Sequence, residues 1–181
     1  DGANVHLEDI VITQNFYGIE LDHSNITLNN TTISDNEYLN LALFNGSTVN
    51  MANSILWHTG ESASSQNIYV GENAEEGDIL ITYSNVLGGW EGEGNINLNP
   101  QFCDASSGDY SISEISPCLG SGLNGGNMGA LPTGCSTPPM VVNDDTFEMF
   151  GSIGLFDILE NDLVVYEIID SIEIVHDAED I

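Results

Sequence analysis

Few side chains here are equipped for chemistry, and their spacing narrows the choice further. Four histidines (His6, His23, His58, His176) are scattered without HxH or HExxH spacing, so they spell no zinc site. His6 and His23 fall at surface positions on a strand and a turn. No serine sits in a GxSxG elbow, so a hydrolase triad has no anchor. Paired carboxylates could still converge across neighbouring strands, as the acid and base of glycoside hydrolysis do. No adjacent Asp pair lies in the first hundred residues, however; Asp144-Asp145 comes later. No catalytic residue can be named, and the reading leans away from an enzyme.

Three further groups point to binding or stapling. Asn143, Asp144 and Asp145, with Asp162, supply the hard oxygen ligands that Ca²⁺ takes, beside a Pro-Pro stretch where an ion would fix the angle between modules. Trp57, Trp90 and Tyr69 are flat rings on which sugar faces stack, and Tyr83 lies close to them in the sequence. The competing reading is structural, with Trp90 closing the last repeat and Trp57 packed beneath a loop. The three cysteines lack CxxC spacing and suit an oxidising compartment better than zinc. Cys103 and Cys118 bracket 14 residues, and a bridge there would contribute about 3 kcal/mol in the chain-entropy view. Cys135 is then left over, unless it takes Cys118 instead.

Charge excludes whole classes of partner. The chain carries 29 Asp plus Glu with neither Lys nor Arg, a formal charge of −29 over 181 residues. Nucleic acid needs basic residues to displace counterions, and none exist. A polybasic membrane patch fails for the same reason. No apolar run approaches the roughly 18 residues of a membrane-spanning helix. Cations are the favoured small partners, with a polysaccharide or another surface protein as larger ones. Hydrophobic content of 41% is that of a folding chain, not of an acidic disordered tail.

The elements that must position these groups repeat. VHLEDIVI (from Val5), ITLNNTTI (from Ile26), VNMANSIL (from Val49) and ILITYSNV (from Ile79) align, with starts 21, 23 and 30 residues apart. Position one is β-branched (Val5, Ile26, Val49, Ile79). Position three is long and apolar (Leu7, Leu28, Met51, Ile81). Position eight is apolar again (Ile12, Ile33, Leu56, Val86). Self-similarity at this period marks a solenoid. A second apolar stretch follows in each repeat: Phe16–Leu21, Tyr38–Phe44 and Asn67–Val70. Thr31, Ser54 and Ser84 share position six, which predicts a hydroxyl ladder at one inward corner below Ile10. The longest interval places an excursion within Trp57–Gly77.

The expected class is therefore all-β: a right-handed parallel β-helix of about four rungs over residues 1–99, with an irregular cap over 100–135. Short strands are expected around Ile96–Leu98 and Tyr110–Ile112. A proline-stiffened linker follows at 136–145, and 146–181 reads as a partial β module appended to the solenoid. The opening DGANVHLEDI lacks signal-peptide character and starts inside a strand pattern, which suggests an excised piece of a longer secreted protein.

The block GGWEGEGNINLNPQFCDASSGDYSISEISPC with GNMGALPTGC resembles the closing segment of bacterial right-handed parallel β-helix proteins of the pectate-lyase-like superfamily. The matching residues are Asn99-Pro100-Gln101-Phe102-Cys103-Asp104, Gly108-Asp109-Tyr110, Ser116-Pro117-Cys118 and Gly129-Ala130. The tail, with Asn143-Asp144-Asp145 and Asp157–Asp162, resembles the start of cadherin-like or Ig-like repeats of bacterial surface proteins. The resemblance implies a secreted or cell-surface location. Pectate lyases of this superfamily use an Arg base, which this chain lacks. The expected function is a non-catalytic stalk, adhesin or display scaffold. The alternative is a polysaccharide-binding or polysaccharide-degrading β-helix whose active rungs lie partly outside these residues.

Overall fold

Alternating apolar residues that are β-branched or long can bury one face of a strand only if another strand stacks on it, and these repeats stack on one another. The computed structural model describes residues 2–59 and 67–136. The first parallel sheet contains β1 (Asn4–Glu8), β4 (Asn25–Asn29), β7 (Thr48–Ala52) and β10 (Ile79–Thr82), in that order. The second contains β2 (Val11–Ile12), β5 (Thr32–Ser34), β8 (Ile55–Trp57) and β11 (Asn85–Val86). The third contains β3 (Tyr17–Asp22), β6 (Leu39–Phe44) and β9 (Ile68–Val70). Together they form a β-solenoid of about five turns.

The register matches the sequence repeat residue for residue. Val5, Ile26, Val49 and Ile79 are partners in successive strands, as are Leu7, Leu28, Met51 and Ile81. Ile12, Ile33, Leu56 and Val86 form the third column. From the second rung onward these residues are buried; in the first rung Val5, Leu7 and Ile12 stay partly exposed. The excess turn over the expected four comes from Gly92–Asn97. Tyr83 N–H donates to Glu93 O (2.7 Å), Ile96 N–H to Ser84 O (2.9 Å) and Val86 N–H to Ile96 O (2.9 Å). Ile96 thus makes a single parallel bridge to Asn85 rather than part of a strand.

Turning a strand within one residue calls for left-handed backbone. Asp9, Asn30, Asn53 and Tyr83 occupy the same corner with φ of 53°, 46°, 51° and 48°. Asn and Asp adopt this conformation more readily than other residues with a Cβ, which accounts for three of the four. The next residue carries the hydroxyl ladder. Thr31, Ser54 and Ser84 each donate to the carbonyl two residues back (Asn29, Ala52, Thr82) at 2.8–3.0 Å. Ser54 and Ser84 also accept the N–H of Thr31 and of Ser54, one rung up. Asn95 Oδ1 ends the series by accepting from Ser84 N–H. Burying these hydroxyls is tolerable because each donates to a carbonyl, and Ser54 and Ser84 accept as well.

A second buried ladder runs between the second and third sheets. Asn36 Nδ2 donates to Asn40 Oδ1 at 2.8 Å, and Asn40 Nδ2 to Asn67 Oδ1 at 2.6 Å. Their amides also cap backbone carbonyls of Ile12, Trp57 and Leu87. The sequence pattern did not reveal these asparagines.

The cap pairs β12 (Phe102–Asp104) antiparallel with β13 (Asp109–Ser113), and β13 parallel with β14 (Thr133–Cys135). Here one expectation is corrected. The disulfide joins Cys103 to Cys135, not to Cys118. Gly134 makes this approach possible, since a Cβ there would lie 2.0 Å from Ser111 Oγ. Cys118 has no exposure and packs with Ile55, Trp57, Ile112 and Met128. Its sulfur accepts from Asn85 Nδ2 at 3.1 Å, and burial pushes its thiol above the ordinary range. Of the expected linker 136–145 only Ser136 is described, and the 146–181 module lies outside the described residues.

Candidate functional site: an aromatic face on the third sheet

Phe16 and Tyr38 stand one rung apart, tied by Tyr38 N–H donating to Phe16 O at 2.9 Å. Their rings stack with centroids 5.6 Å apart and planes within 5°, as equivalent positions of a solenoid should. Tyr17 presents an edge to both, at 5.0 Å and 5.5 Å. Phe44 and Tyr69 form a second pair at 5.7 Å. Gly71 makes room for Phe44, because a Cβ there would sit 2.4 Å from its ring. Tyr17, Tyr38, Leu39, Phe44 and Tyr69 line one surface depression of about 270 Å³. That is near the lower end of small-ligand pockets.

These rings are not core. Phe16 is 56% exposed, Tyr38 58% and Tyr69 39%. A cluster of exposed rings loses the burial that normally justifies aromatic residues, which makes it the candidate interaction surface. Carboxylates share the face. Glu20, Ala42 and Tyr69 form one column across β3, β6 and β9, and Asp22 pairs with Phe44 in the next. Glu20, Asp22, Glu37 and Glu72 are all exposed. Asn45 Nδ2 donates to Asp22 Oδ1 at 2.8 Å, and this bond, chiefly, holds the Asp22 carboxyl below the usual carboxylate range.

The sugar-stacking residues expected from the sequence separate here. Tyr69 belongs to the exposed face. Trp57 is 9% exposed and packs with Ile112, Cys118 and Met128 against the cap, so its ring has no free face for a sugar. Trp90 is half-buried against the main core and lines another depression of about 300 Å³ with Asn67, Ile68 and Glu76. Phe16, Tyr17, Tyr38 and Phe44 were not singled out from the sequence. The signal was available: Phe16 and Tyr38 begin equivalent apolar stretches 22 residues apart.

A polar cluster ties the cap to the rungs. The Asp35 carboxylate accepts from Thr59 N–H (2.7 Å), Thr59 Oγ1 (3.0 Å) and Tyr110 Oη (2.9 Å), with His58 Nδ1 at 3.3 Å. Tyr110 Oη also bonds Thr13 Oγ1 at 2.8 Å. Burial raises the Tyr110 phenol above its ordinary range, and Asp35 adds to the rise. A His–Asp pair is the orienting part of a hydrolytic triad. Here both carboxylate oxygens are occupied by fixed donors, and the arrangement works as a clamp.

Among the described residues, no group of three or more His, Cys, Asp or Glu is placed to hold a metal ion. The Ca²⁺ ligands expected at Asn143, Asp144, Asp145 and Asp162 lie outside the described residues. No helix among the described residues is long and apolar enough to cross a membrane. No family model, curated protein or solved structure matches this chain.

Proposed function

We propose that the chain is a glycan-binding display segment of a secreted or cell-surface protein, in which a solenoid scaffold holds an aromatic face toward solvent. The observation that carries this reading is the exposed, near-parallel pair Phe16–Tyr38 continued by Phe44 and Tyr69. Sheet pairing fixes the spacing of these rings, so they meet a ligand already ordered and little conformational entropy is lost on binding. Flat apolar sugar faces suit such rings. The Cys103–Cys135 bridge fits an oxidising compartment, and the cap's resemblance to secreted β-helix proteins points the same way. A calcium ion at Asn143, Asp144, Asp145 and Asp162 is retained as a proposed cofactor.

The reading is tested by isothermal titration and affinity electrophoresis against a panel of neutral, acidic and amino glycans. Binding that falls about tenfold or more in Tyr38→Ala and in Tyr69→Ala, with the melting temperature unchanged, is the expected result. Retention on no glycan would remove it.

A further inference from the structure

We infer that the ligand of the aromatic face is a cationic glycan, one whose sugar units carry free ammonium groups, as in a deacetylated amino-sugar polymer. This rests on the glycan reading above and narrows its ligand class. Two ring pairs, Tyr17 with Tyr38 and Phe44 with Tyr69, line one depression, with Tyr38 just before β6 and Phe44 at its far end, about 20 Å apart at the usual strand rise. Ring faces attract an ammonium group through their quadrupole, so each pair offers one place for a cation and successive sugar units of a polymer meet successive pairs.

The carboxylates reinforce that preference. Glu20 and Tyr69 lie in one outward column separated only by Ala42, so an acid and a ring flank a small residue about 10 Å apart at the usual strand spacing. Asp22 stands beside Phe44 on the neighbouring strand, its Oδ1 held by Asn45 Nδ2 and His23 Nδ1, both at 2.8 Å. Polyuronates and sulfated glycans face the opposite situation. With no Lys or Arg in 181 residues, only the four histidines could offset an anionic sugar, and the one nearest this face, His23, is already paired with Asp22 at 2.8 Å. The missing positive charge must come from the ligand.

Bulk attraction to a chain of −29 could mimic this selectivity, so the test separates the rings from the field. A glucosamine oligomer, its N-acetylated counterpart and a neutral glucose oligomer of equal length are titrated at about 0.15 M NaCl and again at higher salt, where exposed charges are screened. The glucosamine oligomer is expected to bind about tenfold tighter than either uncharged oligomer. Tyr38→Ala and Tyr69→Ala, which leave the charge at −29, are expected to abolish that preference, and Glu20→Gln to reduce it while sparing the neutral oligomer. Equal binding of charged and neutral oligomers overturns the inference but leaves the glycan reading standing. Glucosamine binding that ignores the tyrosine changes reduces it to bulk charge and also overturns it. Binding of none of the three overturns both.

Discussion

Tyr110 Oη donates to Asp35 Oδ2 at 2.9 Å across 75 residues of chain, and this bond joins the cap to a corner of the second rung. Asp35 is itself in left-handed backbone (φ 53°), which aims its carboxylate at Thr59 and Tyr110 together. The GDY signature of the cap therefore has a mechanical meaning. Its tyrosine is a peg, and Asp35 is the socket.

Tyr110→Phe keeps the ring, which packs edge-on against Phe102, and deletes only the hydroxyl. Removing one buried partner of a charged acceptor should cost about 1–3 kcal/mol. Urea denaturation followed by tryptophan fluorescence checks this, and an unchanged midpoint would show that the clamp is idle.

The same residue makes the fold sensitive to base. The Tyr110 phenol titrates above its ordinary value of about 10 in the folded chain, so its contribution is complete below that pH. It is lost as pH rises through the higher folded value. Stability should accordingly decline above about pH 10, and Tyr110→Phe should flatten that decline. Melting curves across this range, read beside tyrosinate absorbance, give the answer.

Leu28 lies in the middle of a buried column, between Leu7 and Met51, with no exposure. Leu28→Ala should cost about 2–5 kcal/mol, the usual penalty for an unfilled core site. Leu28→Asp should prevent folding outright, because an unpaired carboxylate would be sealed between apolar rungs. Far-ultraviolet circular dichroism of the two variants distinguishes these outcomes.

Cys103 and Cys135 are 32 residues apart, and opening their bridge should cost about 4 kcal/mol on chain-entropy grounds. Cys135→Ser should show that loss, whereas Cys118→Ser leaves the bridge intact. Thiol titration of the unfolded, unreduced chain should find a single reactive group. Peptide mapping cannot use a protease that cuts after Lys or Arg, since neither is present, and one that cuts at acidic residues serves instead.

With −29 charges and no internal counter-charge, the melting temperature should rise with NaCl as self-repulsion is screened. Calorimetry in CaCl₂ at matched ionic strength adds the second comparison. A larger rise with calcium that is lost in Asp144→Asn and Asp145→Asn marks a site at Asn143, Asp144, Asp145 and Asp162; equal rises leave screening alone. A fall in NaCl would contradict the repulsion argument.

The scaffold was legible in the sequence because its signal is periodic. A column such as Leu7, Leu28, Met51 and Ile81 repeats one requirement, an apolar residue over an apolar residue, at nearly constant spacing. The Thr31–Ser54–Ser84 ladder was legible for the same reason. Asp35, His58 and Tyr110 were not, since they meet once only and belong to no repeat. Tryptophan drew attention by size, yet Trp57 is spent on packing the cap while the smaller tyrosines carry the exposed face. Chain distance favours Cys118 as the partner of Cys103, whereas β13 and Gly134 bring Cys135 beside it.

The interval from β7 to β10 is 30 residues against 21 and 23 before it, yet Val49 still faces Ile79 and Met51 still faces Ile81. Added length is absorbed between strands without disturbing these columns. Within a strand the reverse holds, since slipping by one residue turns every inward side chain outward. Variation in such a chain is thus quantised: corner loops are free to lengthen and whole rungs to be duplicated, but a one-residue deletion inside β4 or β7 is expected to be lethal to the fold. Lineages of this architecture would diverge in rung number and loop content long before they diverge in the columns themselves.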